Sequence, residues 1–259
     1  MEKVFNIWEG IFESFSEAKQ QAKGAGFNGD VYNTRVLQAA QECLAAIQNS
    51  KPIPAFHKQR NTHLPPIVAM ALANKSKLDV LDLGGGLGIG YMTLMESIPE
   101  YDKYIKYTVV EVNEVCEQGR ALFSEKKGID FINTLPTSGS FYLVHSSSVM
   151  QYFENWKDVI KQLTEYDAEY ISLADVFAGQ IPTFVTLQNY YESKMEHWFL
   201  NLEDLLSYLS SLGYKLVMKT FVNAKRLDLM DTLPMDNFPL THRLDHTLNL
   251  LFQRIDGGH

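Results

Sequence analysis

Cysteine is scarce: Cys43 and Cys116 are the only two in 259 residues, too few and too far apart for a disulfide framework or a metal-ligand pair. Reduced, incidental thiols are expected. Long apolar runs are missing too. The longest candidates, such as Ile67-Val68-Ala69-Met70-Ala71-Leu72-Ala73, stop well short of the roughly 20 residues a membrane helix needs. The first residues, Met1 to Glu9, carry no apolar signal-peptide core. Positive charge is in deficit, with 23 Lys and Arg against 31 Asp and Glu and a net charge of -8. A nucleic acid held by phosphate neutralisation would need a basic face. These absences argue for a soluble, cytoplasmic protein with no membrane insertion and no nucleic-acid partner. With 46% hydrophobic and 21% charged residues, the chain can bury a sizeable core.

Amphipathic helical pieces fill the first 75 residues. Ser14 and Glu17 have the spacing of a capping box before a short helix ending near Gly24-Ala25-Gly26. Asp30 reads as the N-cap of a longer helix to about Gln48, with Val36, Ala40, Leu44 and Ile47 on one face and Pro52 and Pro54 closing it. Another helix should run from Leu64-Pro65-Pro66 to Ala73, because proline is tolerated in a first turn. The pieces share no repeat and have too few apolar positions to stand alone. Residues 1–75 are therefore expected to form a helical cover on a main domain of residues 76–259.

From Leu78 strands and helices alternate, which predicts an α/β fold with a parallel sheet covered on both faces. Strands are expected over 79–83, 106–112, 129–133, 142–146, 169–173, 214–221 and 247–255. Helices are expected over 89–98, 114–126, 156–166 and 202–211, the last ended by Gly213. Residues 223–245 separate the closing strands. A connection of that length predicts a lid or a mobile segment.

The stretch Leu81-Asp82-Leu83-Gly84-Gly85-Gly86-Leu87-Gly88 joins the first strand to its helix. Glycines allow a tight turn with positive φ and let a ligand approach without a Cβ in the way. The following helix start presents unpaired N–H groups. A Walker loop would end in Gly-Lys-Ser/Thr, whereas this turn continues Gly88-Ile89-Gly90-Tyr91. The dinucleotide pattern needs glycines at places one, three and six, and counting from Gly84 the sixth is Ile89. That failure disfavours a nicotinamide-dependent oxidoreductase. What fits is Asp82-x-Gly84-x-Gly86-x-Gly88 at a strand end, and this resembles the first motif of the class I S-adenosylmethionine-dependent methyltransferases.

The resemblance covers about residues 75–255. It implies a doubly wound, Rossmann-like sheet of seven mostly parallel strands with an antiparallel last strand, and S-adenosylmethionine as cofactor. In that family an acidic residue ending the second strand binds the ribose, and Lys106-Tyr107-Thr108-Val109-Val110-Glu111-Val112 offers Glu111. A carboxylate can accept from two vicinal hydroxyls at once. The resemblance thus implies Asp82, Gly84, Gly86, Gly88, Glu111 and Ser146 as cofactor-binding residues, with the loop from Ser146 bordering the transferred methyl. Asn133 and Asp130 both lie near the place that commonly meets the adenine amine, and Tyr142 replaces the usual aspartate before the fourth strand. Gly213-Tyr214-Lys215-Leu216-Val217 matches the family's entry to the sixth strand. More narrowly, Trp8-Glu9-Gly10-Ile11-Phe12, Ser14 to Ala18, Gly26-Phe27 and Ser146 to Tyr152 are similar to a group of bacterial methyltransferases often associated with surface-polysaccharide genes.

On the acceptor side, methyl transfer needs positioning and, for oxygen or nitrogen, loss of a proton. His145, Tyr152, Asp175 and His197 are candidates. His145 titrates in the useful range but sits in an apolar strand, where a core histidine is the alternative. Asp175 ends the fifth strand, where a crevice opens, or serves as a turn residue. His145 and Asp175 are carried forward as catalytic candidates. Tyr190, Tyr191 and Trp198 could wall a flat or sugar-like acceptor, or belong to the core. His242 and His246 form an i, i+4 pair with no third ligand, so no metal is expected. The expected function is O- or N-methylation of a small-molecule or sugar-like acceptor. The alternative is a non-catalytic cofactor-binding or scaffold protein of the same fold in polysaccharide assembly.

Overall fold

The computed structural model describes residues 5–222 and 232–255. The first stretch begins with a strand, β1 (Trp8–Phe12), followed by helices α1 (Phe15–Lys19), α2 (Asp30–Gln48), α3 (Ala55–Lys58) and α4 (Leu64–Leu72). The capping box is present, with Ser14 Oγ accepting the Glu17 N–H at 3.2 Å and Glu17 reaching back to the Glu13 N–H at 2.9 Å. Asp30 opens α2 as its first helical residue; the cap itself is Gly29, which offers no side chain.

The alternating part follows: β2 (Leu78–Leu83), α5 (Ile89–Ser97), α6 (Tyr101–Tyr104), β3 (Ile105–Val110), α7 (Asn113–Leu122), β4 (Ile129–Ile132), β5 (Leu143–Ser147), α8 (Trp156–Thr164) and β6 (Tyr170–Val176). Then come β7 (Ala178–Gly179), β8 (Phe184–Tyr190), β9 (Ser193–Asn201), α9 (Leu202–Ser211), β10 (Tyr214–Phe221) and β11 (Leu248–Arg254). Seven strands form one sheet in the order β10-β11-β6-β5-β2-β3-β4. β2 through β6 run parallel, and β11 is antiparallel to both neighbours. All seven strands fall where the sequence places them. β2 lies centrally, with β3 on one side and β5 on the other, so the chain reverses direction of winding at its carboxyl end.

Both faces are covered. On one, Val80, Tyr107 and Val109 pack with Leu64, Val68, Tyr91 and Leu94. On the other, Leu81, Val144, Ile171 and Leu173 pack with Trp156, Ile160 and Leu163 of α8, spaced i, i+4, i+7, and with Leu205 and Leu209 of α9. Each such side chain contributes about 1.5–3 kcal/mol by leaving water.

A second sheet, ordered β1-β8-β9-β7, stands outside this frame. Its inner residues Trp8, Phe184 and Phe199 cluster with Phe177, Leu233, Met235, Phe238 and Leu244. The expected lid or mobile connection is therefore corrected over residues 232–245: Leu233, Met235, Phe238 and Leu244 are core, and Leu240 is exposed. Residues 223–231 lie outside the described residues.

Candidate functional site

The glycine turn leaves β2 with Gly84, Gly86 and Gly88 at φ of +71°, +56° and +77°, a region that L side chains avoid. Around Gly84 a Cβ would also meet three Val149 side-chain atoms at 2.7 to 2.9 Å. Around Gly86 it would meet only Val36 at 3.6 Å, so this stretch of backbone is open for close approach. Asp82 lies beneath the turn, fully buried, with Oδ2 accepting from the Tyr107 hydroxyl at 2.6 Å and Oδ1 without a hydrogen-bond partner. Burial raises its pKa to about 7; the Tyr107 hydrogen bond opposes the shift and the nearby Glu111 adds to it.

One strand over, Glu111 follows β3. Its Oε1 accepts the Gly86 N–H at 3.1 Å and its Oε2 the Val112 N–H at 2.9 Å. Tyr32 of α2 lies beside the same carboxylate in the wall of one cavity. Burial raises the Glu111 pKa, and the two backbone N–H groups and Tyr32 work against that rise. A cavity of about 420 Å³ opens here, lined by Phe27, Tyr32, Glu111, Asn133, Ser148 and Tyr152 among others. Asn133 thus faces the cavity, whereas Asp130 is exposed on β4 and does not line it.

A second cavity of about 260 Å³ lies on the other side of the turn, between Gly84-Gly85-Gly86 and the cover residues Arg35, Val36, His57, Arg60 and Asn61. Gly84 and Ser148 line both cavities. Ser148 carries φ +60°, a strained value for serine of the kind that collects at binding sites. A larger space of about 610 Å³ sits at the amino ends of β2 and β3, but ligands of doubly wound sheets bind at the carboxyl ends.

The two catalytic candidates do not face these cavities. His145 is fully buried in β5, level with Asp82 on β2 and Ser172 on β6. Its Nδ1 lies 3.1 Å from Ser172 Oγ and its Nε2 3.0 Å from Asn61 Oδ1. Ser172 Oγ also meets His63 Nε2 at 2.9 Å. One proton arrangement satisfies the row: His145 Nε2–H donates to Asn61, the Ser172 hydroxyl donates to His145 Nδ1, and His63 Nε2–H donates to Ser172. Burial holds both rings neutral, His63 down to about 4 and His145 well below its ordinary value. His145 therefore has no nitrogen left for an acceptor's proton.

Asp175 is fully buried at φ +50°. Its Oδ1 accepts from Thr247 at 2.5 Å and its Oδ2 pairs with Arg60 Nε at 3.1 Å. Both candidates thus hold the segment 60–61 of the cover against the sheet, and Ser147 Oγ adds a bond to the Arg60 carbonyl at 3.2 Å. Ser146 is buried, and its successors Ser147 and Ser148 line the glycine-turn cavity instead. His197 packs among Trp8, Phe177 and Phe199. Tyr190 and Tyr191 join a chain of rings with Phe27, Tyr32 and Tyr152, while Trp198 faces Phe15 and donates to the Phe153 carbonyl. His242 and His246 each pack on a separate ring, Phe184 and Phe221. Arg60, Asn61, Tyr32 and His57, the last hydrogen-bonded to Glu42 at 2.7 Å, carry no spacing signal that sequence reasoning could use.

A doubly wound sheet with a glycine turn, a carboxylate one strand over and a cavity between them defines a nucleoside-binding α/β protein. A profile of the methyltransferase domain family matches residues 56–219, and the chain belongs to that family. Among solved structures, the 1,6-didemethyltoxoflavin-N1-methyltransferase of Burkholderia thailandensis, with 1,6-didemethyltoxoflavin and S-adenosylhomocysteine bound, is 12% identical. The match covers 91% of this chain and 94% of that one, with a TM-score of 0.53. Magnesium protoporphyrin IX methyltransferase of Synechocystis PCC 6803, with bound SAM, is 13% identical over 87% of this chain and 94% of that one, with a TM-score of 0.50. At these identities the likeness is one of fold. A comparison with curated proteins gives no match. No helix among the described residues is long and apolar enough to cross a membrane.

Proposed function

We propose that the chain transfers a methyl group from S-adenosylmethionine to oxygen or nitrogen of a small-molecule acceptor. The observation that carries this reading is Glu111, fixed by two backbone N–H groups at the wall of a cavity that meets a second one at Gly84 and Ser148. The nucleoside end would lie in the first cavity, with Glu111 on the ribose hydroxyls and Asn133 beside the base. The methionine end would lie along Gly84, Gly85 and Gly86, with Asp82 Oδ1 available to its ammonium and Arg60 to its carboxylate. When bound, the cofactor supplies an electrophilic methyl group on a sulfonium centre.

This chain's own residues then position and exclude water. Asp175 and His145 act as positioning groups behind Arg60 and Asn61. His57, oriented by Glu42, is the histidine that lines the glycine-turn cavity and the group placed to take an acceptor's proton. Within residues 5–75, α2 and the segment 56–61 cover the crevice, while β1 joins the second sheet. A sugar-like acceptor, and with it the surface-polysaccharide setting, stays within this reading as one class of small molecule. Isothermal titration with S-adenosylhomocysteine tests the proposal directly, and absence of binding at millimolar ligand would sink it.

Asp82 adds a pH signature. Its folded pKa of about 7 exceeds the ordinary 3.8, so between those values the native state holds a proton the unfolded chain has lost. The associated stability is present at low pH and fades as pH rises through about 7. Relative to Asp82→Asn, the cofactor-free wild type should lose on the order of 2–4 kcal/mol between pH 4 and 8. Denaturant melts of both proteins across that range check it; parallel curves would contradict the assignment. Pairing with an ammonium should reverse the slope, so that S-adenosylhomocysteine binds more tightly as Asp82 ionises.

A further inference from the structure

The cofactor reading leaves the outer rim of the crevice unused, where α2 meets the tip of the β8–β9 hairpin. Tyr32, Arg35, Val36 and Ala39 of α2 follow one another at i, i+3, i+4 and i+7, and the last three line the glycine-turn cavity. The Arg35 guanidinium lies 4.1 Å over the Tyr191 ring. It makes no ion pair among the described residues. An arginine laid flat on an aromatic ring is pre-ordered and keeps its N–H edge for a planar anion.

The surface beneath Arg35 is built, and at a cost. Tyr191 takes φ +52° in the two-residue turn between the paired residues Tyr190 and Ser193. A bulky residue rarely adopts that backbone, and where one does the surroundings fix it. Here the turn is pinned to the cover: Ser193 Oγ accepts the Gly26 N–H at 3.0 Å, and Lys23 and Lys194 exchange backbone bonds at 2.9 and 2.8 Å. Tyr191 packs on Tyr190 at 4.7 Å, and Phe27 links Tyr190 to Tyr152 at 5.8 and 4.7 Å. Tyr191 and, on the lining of the glycine-turn cavity, Phe56 remain 53% and 59% exposed. In a chain of net charge -8, the Tyr190 hydroxyl lies in the field of two cations, Arg60 and Arg35.

We propose that the methyl acceptor is a small ring-bearing acid, its ring against Tyr190 and Tyr191 and its carboxylate or phosphate on Arg35. This inference rests on the cofactor reading above. A neutral acceptor gains only ordinary hydrogen bonds from Arg35, whereas an anion pairs with it by charge and lies favourably near a sulfonium charge.

The test is titration of S-adenosylhomocysteine, followed on the saturated protein by an aromatic carboxylate, a uronic acid and a sugar phosphate, each beside its neutral ester, amide or parent sugar. At least one acid should bind about tenfold tighter than its neutral counterpart, with the preference shrinking as salt rises. Preference for the aromatic or for the sugar acids tells which ring the rim accepts. Arg35→Gln should abolish the preference on protein saturated with S-adenosylhomocysteine, the acid and neutral member of each pair then binding alike. Equal affinity for acids and neutral forms, no acid binding in the millimolar range, or a preference that survives in Arg35→Gln overturns the proposal while the cofactor reading stands. Failure of S-adenosylhomocysteine to bind the wild type removes both.

Discussion

Replacing Trp8 with alanine is expected to cost about 3–5 kcal/mol of folding stability, the range for truncating a large buried aromatic. Trp8 is 1% exposed. Its ring meets Phe177 and Phe199 edge-on at 5.5 Å each and His197 at 5.8 Å, so truncation removes aromatic pairing as well as area. The space left behind cannot close readily. Phe199 is already stacked on Phe184 at 5.1 Å, and Phe238 packs on Phe184 at 5.9 Å. The same residue ties three distant pieces together: β1 pairs Trp8 with Gln188 of β8, and the Trp8 carbonyl accepts from the Asn237 amide at 2.7 Å. Urea melts should show the loss as a lower midpoint, and the melting temperature should fall by roughly 10 °C for a chain of this size. A change below about 1 kcal/mol would mean that Trp8 is not packed among Phe177, Phe199 and His197 as described. A separate early transition would show that the second sheet unfolds as its own unit.

That second sheet was the part of the fold the sequence concealed, and the reasons are physical. The inner strands are legible because a strand buried on both faces reads as a mostly apolar run, as in Tyr107 to Val110 and Ile171 to Val176, whereas the edge strand β10 reads by alternation, with Tyr214, Leu216 and Met218 more buried than Lys215, Val217 and Lys219. β8 runs from apolar to polar along its length and β9 from polar to apolar, and their connection, Tyr191-Glu192, has none of the Asn or Gly that usually marks a two-residue hairpin. β1 finds its partner about 180 residues away, at Gln188, and five residues of aromatic-rich sequence do not announce a strand. The connection after β10 looked like a lid by length alone, yet Leu233, Met235, Phe238 and Leu244 fill the space beside Trp8 and Phe184.

The site divides the same way. Its cofactor half is local: Asp82 near the end of β2 leads into the turn of Gly84, Gly86 and Gly88, and Glu111 follows the next strand. The other half depends on docking of the cover, which brings Tyr32 onto Glu111, Arg60 onto Asp175 and Asn61 onto His145. The polar row Asp82, His145 and Ser172 across three paired strands explains the misleading signal at His145. A histidine in an apolar strand offered a titratable group. Its neighbours across the sheet and on the cover make it a neutral link between Asn61 and Ser172.

Glu111→Gln isolates the cofactor half, and affinity for S-adenosylhomocysteine should fall about 100-fold. The carboxylate has roughly four lone-pair directions. Two are taken by Gly86 N–H on Oε1 and Val112 N–H on Oε2. The rest are what two vicinal hydroxyls would use. A glutamine must set its NH₂ against one of the two backbone donors, so it loses a ribose acceptor and disturbs the turn that Gly86 belongs to. The lost charge-assisted hydrogen bond to the ribose costs about 1.5–3 kcal/mol, a range that includes the 2.7 kcal/mol that 100-fold represents, while the stranded backbone N–H weakens the free variant as well and shows in its stability. Tyr32→Phe should weaken binding less, because it leaves the carboxylate and both backbone donors in place. Titration calorimetry gives the affinities, and a thermal melt of the unliganded variant separates loss of binding from loss of fold. An unchanged affinity in a folded Glu111→Gln protein would remove Glu111 from the ribose and leave the 420 Å³ cavity without the contact that identifies its occupant.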